Sequence, residues 1–207
     1  MVLAIDNLTL ERGARTLLEG LDLTAGIGDI VGIGGANGIG KTTLCRAIAQ
    51  LHRPLAGTVQ VDGIDTAGPD AARARLLVGY GPHRPLGWDA LSVRRNLELA
   101  MRGHPDPAGH ATAAIDRWGL DAYAARPISH LSRGWQQRYG LARIDHPGIR
   151  LRVLDEPTTG LDTAGRTQLT AAVRRWAASS ALVVTSHDHD WLAEVATVRF
   201  ELSGSLA

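Results

Sequence analysis

Residues 35–43 read Gly-Ala-Asn-Gly-Ile-Gly-Lys-Thr-Thr, and their types and spacing suit the holding of a chain of phosphates. Gly35, Gly40, Lys41 and Thr42 fill the pattern G-x-x-x-x-G-K-[ST]. Glycines let the backbone wrap a triphosphate closely. The loop N–H groups, those of Ala36, Asn37, Gly38, Ile39 and Thr43 included, then point inward. Lys41 reaches the β- and γ-phosphates, and the Thr42 hydroxyl sits where it can hold Mg²⁺. Lys41 is also the single lysine among 22 basic residues. A compact ammonium fits between phosphates where a guanidinium fork does not.

A second constellation lies far along the chain. Residues 151–156 read Leu-Arg-Val-Leu-Asp-Glu, an apolar run ending in two carboxylates. Neighbouring residues on a strand face opposite sides. One carboxylate can therefore hold the Mg²⁺ shell while the other polarises a water for attack on the γ-phosphate. Asp155 is assigned to the metal and Glu156 to the water.

These groups need a scaffold. Residues 29–34 read as a buried strand leading into the loop, and residues 41–51 as the helix whose N-terminus faces the anion. Upstream, residues 2–10 alternate polar and apolar, and residues 16–23 form a second strand-like run. Pro54 and Gly57 break the chain before short strands at 58–62 and 76–80. Then the character changes. Segments 92–102, 107–118, 120–125 and 132–144 favour helix, with Ser132 at an N-cap. Residues 83–146 thus read as a helical insertion into a core made of 1–82 and 147–207. Strand signals resume at 151–154, 181–185 and 198–202, with a long helix over 164–178. The alternation around a phosphate loop predicts one α/β domain with a largely parallel sheet.

Composition narrows the classes. Net charge is +1 with the two signs interspersed, so no polyanion partner such as nucleic acid is indicated. The single cysteine, Cys45, allows no internal disulfide, suits a reducing cytosol and reads as a small buried helical residue. An early Asp6 and no apolar h-region argue against a signal peptide, and no run approaches the roughly 18 apolar residues of a membrane span.

Three further motifs complete the pattern: Leu131-Ser-Arg-Gly-Trp-Gln-Gln-Arg138, Gly160-Leu-Asp162, and His187 after the strand at 181–185. Together the five resemble the ATPase subunit of ATP-binding cassette (ABC) transporters over essentially the whole chain. The resemblance implies a P-loop NTPase (RecA-like) core with a mostly parallel sheet, an N-terminal antiparallel β part and a helical subdomain. It implies ATP and Mg²⁺ as cofactors, with Lys41, Glu156 and His187 in the hydrolytic step. It implies that two copies, or one copy and a second ATPase subunit, sandwich two ATP molecules. Ser132 and Gly134 of one copy would then donate to the γ-phosphate bound by the other, with Asp162 beside them. An integral membrane permease would meet residues 83–94, placing the chain at the cytoplasmic face of the inner membrane.

Departures from the family pattern mark where this chain differs. Arg133 and Trp135 stand where the signature usually has Gly and Gln, and His83 stands at the usual Gln, where it is read as a further ligand on the metal side. Arg133 is expected near the γ-phosphate, and Trp135 at the dimer seam or over the ribose. Arg12 replaces the aromatic that stacks on adenine, which a planar guanidinium can do in its place. Arg152 interrupts an apolar strand, so its head must find a carboxylate or an exit. Glu11-Arg12, the loop followed by Leu44, Gln136-Gln-Arg138 and no expected C-terminal extension resemble the short haem-exporter ATPase of cytochrome c biogenesis. Multidrug-type exporters share these features. Other readings are a soluble ABC protein outside transport and a regulatory subunit that binds ATP with weak turnover.

Overall fold

The alternating N-terminal run folds as β1 (Leu3–Arg12), turns at Gly13 with φ of 65°, and returns antiparallel as β2 (Arg15–Ala25). The structure, a computed structural model, describes residues 1–202. The apolar run behind the hairpin becomes β3 (Ile30–Gly34), buried throughout, and leads through the loop into α1 (Lys41–Ile48). Next come β4 (Ala56–Val61) and the two-residue β5 (Ile64–Asp65), then the short α2 (Ala71–Leu76) and β6 (Val78–Gly81). Between β6 and the next strand lie α3 (Val93–Ala100), α4 (Pro107–Arg117) and α5 (Arg133–Ala142). The chain finishes with β7 (Leu151–Asp155), α6 (Thr163–Ala177), β8 (Ala181–Thr185), α7 (His189–Val195) and β9 (Val198–Glu201).

Two sheets result. One is antiparallel, in the order β2-β1-β4-β5; the other is parallel, in the order β6-β7-β8-β3-β9. In the parallel sheet β3, β7 and β8 are buried at every position, as strands covered on both faces must be. One face, with Val31, Val153 and Val183, packs on α1 and the antiparallel sheet. The other, with Leu154, Leu182 and Val184, packs on the helices through Trp118, Leu169 and Trp176. The parallel order brings the carboxyl ends of β3, β7 and β8 to one edge, where ligands of open α/β sheets bind.

The expected strands appear, several of them longer than expected. The helix expected over 120–125 is only a 3₁₀ turn at Asp121–Tyr123, and α2, β5 and α7 come as additions. Arg152 is a correction to the sequence reading, for it finds neither a carboxylate contact nor an exit. Its guanidinium donates to the Ser180 hydroxyl at 2.7 Å and to the carbonyls of Ile144 and His146 at 3.1 Å. It also lies 5.1 Å from the Trp176 ring. Carbonyls and a π face satisfy the donors, although burial still lowers its pKa to about 10.

Beside it sits Asp145, 4% exposed, which ties the ends of α4 and α6 together. It accepts from the indole N–H of Trp118 at 2.9 Å and of Trp176 at 2.8 Å, and from Arg117 and Arg175 at 3.1 and 2.7 Å. Burial alone would raise its pKa, but the Trp176 bond and the two cations outweigh it and hold the carboxyl below its usual range. Replacing Asp145 by Ala leaves four donors without their acceptor. We expect a loss on the order of 3 kcal/mol in urea unfolding, and a loss under about 1 kcal/mol would contradict the account.

His146 adds an acid-sensitive term. Burial, chiefly, lowers its pKa to about 4, with His104, Arg152 and His110 acting in the same direction. The unfolded side chain titrates near 6.5, so between about pH 6.5 and 4 the unfolded state binds more protons. Stability is therefore complete above that window and falls as pH drops through it, by about 3 kcal/mol. Melting temperatures from pH 7 to 4 should show this slope, and His146→Gln should flatten it.

Candidate functional site

The loop after β3 depends on backbone conformations that L side chains rarely adopt. Gly35 has φ of 129° and Gly40 of 120°. A Cβ at Gly40 would also lie 3.3 Å from the Leu17 Cβ. Gly40 caps α1 without a side-chain bond, and the first turn carries no acid, so the helix presents free N–H groups and its positive end. Lys41, 8% exposed, donates from Nζ to the carbonyls of Gly35 at 2.6 Å and Ala36 at 3.1 Å. Its head is thereby fixed over the loop, with one of three donors unspent among the described residues.

β7 delivers the carboxylates beside it. Asp155, 2% exposed, accepts at Oδ1 from the hydroxyls of Thr42 at 3.2 Å and Thr185 at 2.9 Å. Glu156 follows with φ of 56°, unusual for a residue with a Cβ and costing on the order of 1–2 kcal/mol. Two bonds hold it there. Its N–H donates to Thr185, and its Oε2 accepts from the His187 N–H at 2.9 Å. Oε1 lies 3.3 Å from His187 Nε2 without hydrogen-bond geometry, and is buried with no donor among the described residues. The carboxylate thus stands at the carboxyl end of β7 beside the phosphate loop, where a general base for an attacking water belongs.

Arg12, Lys41, Thr42, Asp155, Glu156 and His187 line one cleft of about 190 Å³. The donor set fits Mg²⁺. A hydroxyl and a carboxylate meet at 3.2 Å, and among the described residues no three His, Cys, Asp or Glu form a complete cage. Mg²⁺ favours such partial sites and completes its shell with phosphates and water. His83 does not line this cleft. It sits 3.4 Å from Arg133, so the chain brings two of its departures from the family pattern against each other.

Ser132, Gly134 and Asp162 are gathered elsewhere, in a second cleft of about 260 Å³ with Trp135, Arg138 and Gly160. Ser132 stands at the N-cap of α5, yet its hydroxyl makes no capping bond, so hydroxyl and helix end both remain available. Gly134 allows close packing, since a Cβ there would lie 2.9 Å from the Gly160 carbonyl. Asp162 caps α6, accepting from the Gly165 N–H at 2.7 Å and from Arg138 at 3.0 Å. The Gly165 bond first, and Arg138 next, hold its carboxyl below the usual range. Trp135 stacks within its own chain, 4.5 Å from the Tyr123 ring.

The sequence motifs assign no role to Thr185 or Arg138. Thr185, at the end of an apolar strand, fastens both Asp155 and Glu156. A hydroxyl at the carboxyl end of a central strand is the signal that could have found it.

Comparison with known proteins finds a family model, sequence relatives and similar solved structures. The family model described as "ABC transporter" matches residues 18–159. The chain is 36% identical to the cytochrome c biogenesis ATP-binding export protein CcmA of Rhodobacter capsulatus, over 90% of this chain and 81% of that one. It is 37% identical to the daunorubicin resistance ATP-binding protein DrrA3 of Streptomyces coeruleorubidus, over 83% of this chain and 55% of that one. A dimeric ATP-binding cassette solved in a post-hydrolysis state with ADP and Pi superposes with a TM-score of 0.85. That structure shares 24% identity with the chain, over 97% and 94% of the two.

Proposed function

The chain belongs to the ABC transporter family as an ATP-hydrolysing subunit, and we propose that two copies close on two ATP molecules to drive export through a separate membrane subunit. The observation that carries this reading is the convergence of Lys41, Thr42, Asp155, Glu156 and His187 on one cleft. Ser132 and Gly134 line a different cleft of the same chain. A head-to-tail pair would lay that cleft over the partner's γ-phosphate, where the Ser132 hydroxyl and the α5 N–H groups can donate. Lys41 Nζ would hold the β- and γ-phosphate oxygens. A water donating to the Glu156 carboxylate would give up its proton there as its oxygen bonds the γ-phosphorus and ADP leaves. His187, tied to Glu156 Oε2 through its N–H, would keep that carboxylate aimed and contact the γ-phosphate. Mg²⁺ at Thr42 and Asp155 would neutralise phosphate charge. Arg12 would stack on the base.

Among the described residues no helix is long and apolar enough to cross a membrane, so transport needs a partner that is. A surface suited to one adjoins β6. Leu76, Tyr80, Leu86, Arg102 and Arg143 line a cleft there, and Trp88 is exposed nearby. On this reading the partner would meet residues 83–94, and the chain would lie at the cytoplasmic membrane face.

Haem export for cytochrome c biogenesis is the first cargo reading, and the Rhodobacter relative, named for cytochrome c biogenesis and export, is in keeping with it. Drug export is the second reading, suggested by the daunorubicin resistance protein, which is 37% identical over 55% of its own length. The test is to purify the tagged chain from membranes of the cell that makes it and to identify any membrane protein that comes with it. We expect a stable complex whose ATPase rate is several-fold that of the chain alone, with haem rather than drug raising it further. Full activity alone, with no membrane protein recovered, would contradict the transport reading.

A further inference from the structure

Trp135 is the largest departure in the signature segment, and the structure occupies it with its own chain. Its ring lies 4.5 Å from Tyr123, centroid to centroid, and the two planes are tilted by 38°. The guanidinium carbon of Arg126 lies 5.2 Å from the same tyrosine. One turn along α5, the guanidinium carbon of Arg138 lies 4.9 Å from the Trp135 ring. Trp135 thus sits in a ladder of Arg126, Tyr123, Trp135 and Arg138, half-buried against the helical core.

The ladder ends on a loop of the second cleft. Arg138, its side chain only 15% exposed, donates to Asp162 Oδ1 at 3.0 Å and to Gln168 Oε1 at 2.9 Å. The same Asp162 oxygen accepts the Gly165 N–H that starts α6. Arg138 therefore joins the two walls of the cleft. One wall is the α5 N-terminus with Ser132 and Gly134, and the other is the turn through Gly160 to Asp162. The Asp162 side chain is 71% exposed, so a hydrogen-bonded pair with it loses much of its hold to solvent and to side-chain entropy. An aromatic face against the guanidinium plane restricts that group to the geometry that reaches both acceptors.

We infer that Trp135 is a positioning residue. Through Arg138 it fixes Asp162 and the turn before it against the α5 N-terminus, so that the second cleft is preorganised for the partner's nucleotide. A glutamine, the usual residue there, offers no π face for this. Preorganisation lowers the ordering cost paid on binding, so it shows in the ATP concentration needed for closure. The inference rests on the two-copy reading of the site, but its first consequence, the fixing of Asp162, does not.

Two measurements decide it. In the chain without nucleotide, hydrogen exchange is followed over residues 160–166. Trp135→Gln and Arg138→Ala should both speed exchange there, Trp135→Phe should not, and unchanged exchange in Trp135→Gln would overturn the inference. In a Glu156→Gln background, light scattering reads the Mg-ATP concentration that half-saturates dimer formation. Trp135→Gln should raise it about threefold to tenfold, and Trp135→Phe should stay within about twofold. Added to Arg138→Ala, Trp135→Gln should change nothing further. If the two effects multiply, Trp135 touches the nucleotide itself and the inference fails. Equal damage from Phe also overturns it, since the ring face is what is claimed. If the background protein never dimerises with Mg-ATP, the two-copy reading fails, and the exchange data still decide the positioning role.

Discussion

Replacing Lys41 by Ala is expected to lower kcat/KM for ATP by at least about a hundredfold while leaving the fold intact. The ammonium is nearly buried and held over the loop by two loop carbonyls, so exchanging those bonds for phosphate oxygens would bring it onto the β- and γ-phosphates. Electrostatic contacts of this kind are worth on the order of 3 kcal/mol or more in the transition state. Truncation leaves only two loop carbonyls without a donor, at a loop edge that water reaches, so melting should shift little. Lys41→Arg should fare almost as badly, because the fork is too broad for a pocket shaped by Gly35 and Ala36. Steady-state hydrolysis beside a melting curve checks both variants. Turnover at the parental rate in either would remove the phosphate-loop assignment.

The second large effect is expected at Glu156. Its carboxylate is held by the His187 N–H at one oxygen and left without a donor at the other. Glu156→Gln keeps the size, the bond to His187 and the unusual backbone, yet cannot take a proton. General-base catalysis is worth about 10² to 10⁴, so single-turnover hydrolysis should slow by that much. Mg-ATP affinity should stay within about threefold, since neither Lys41 nor Thr42 is disturbed. Hydrolysis at the parental rate would place the base elsewhere, with His187 next to be tested.

What could be read in advance depended on how much of the fold each signal had to carry. The continuous apolar runs at 29–34, 151–154 and 181–185 became β3, β7 and β8, because a strand buried on both faces leaves an unbroken run. The helix expected over 120–125 shrank to a 3₁₀ turn. Gly119 precedes it, and Pro127 forces the residue before it to extend. α7 was missed because seven residues are too few to show a helical period. Its Asp188 cap, accepting from the Trp191 N–H, was the available mark. Lys41, Thr42, Asp155 and Glu156 announce themselves because the chemistry tolerates few alternatives. Thr185 and Arg138 do not, since a threonine or arginine has many uses and only the fold shows which acceptor each reaches. Arg152 shows the same limit. A charge in a strand can be flagged from sequence, but carbonyls and a tryptophan face as its partners cannot.

The central claim is that two chains share two ATP molecules, each held by the phosphate loop of one copy and the Ser132 helix end of the other. The most direct test is the mass of Glu156→Gln by light scattering, with and without Mg-ATP. The account predicts one chain without nucleotide and two with it, binding one ATP per chain, and a return to one chain when Ser132→Arg blocks the helix end. A single chain at saturating Mg-ATP, or a dimer indifferent both to nucleotide and to Ser132→Arg, would contradict it.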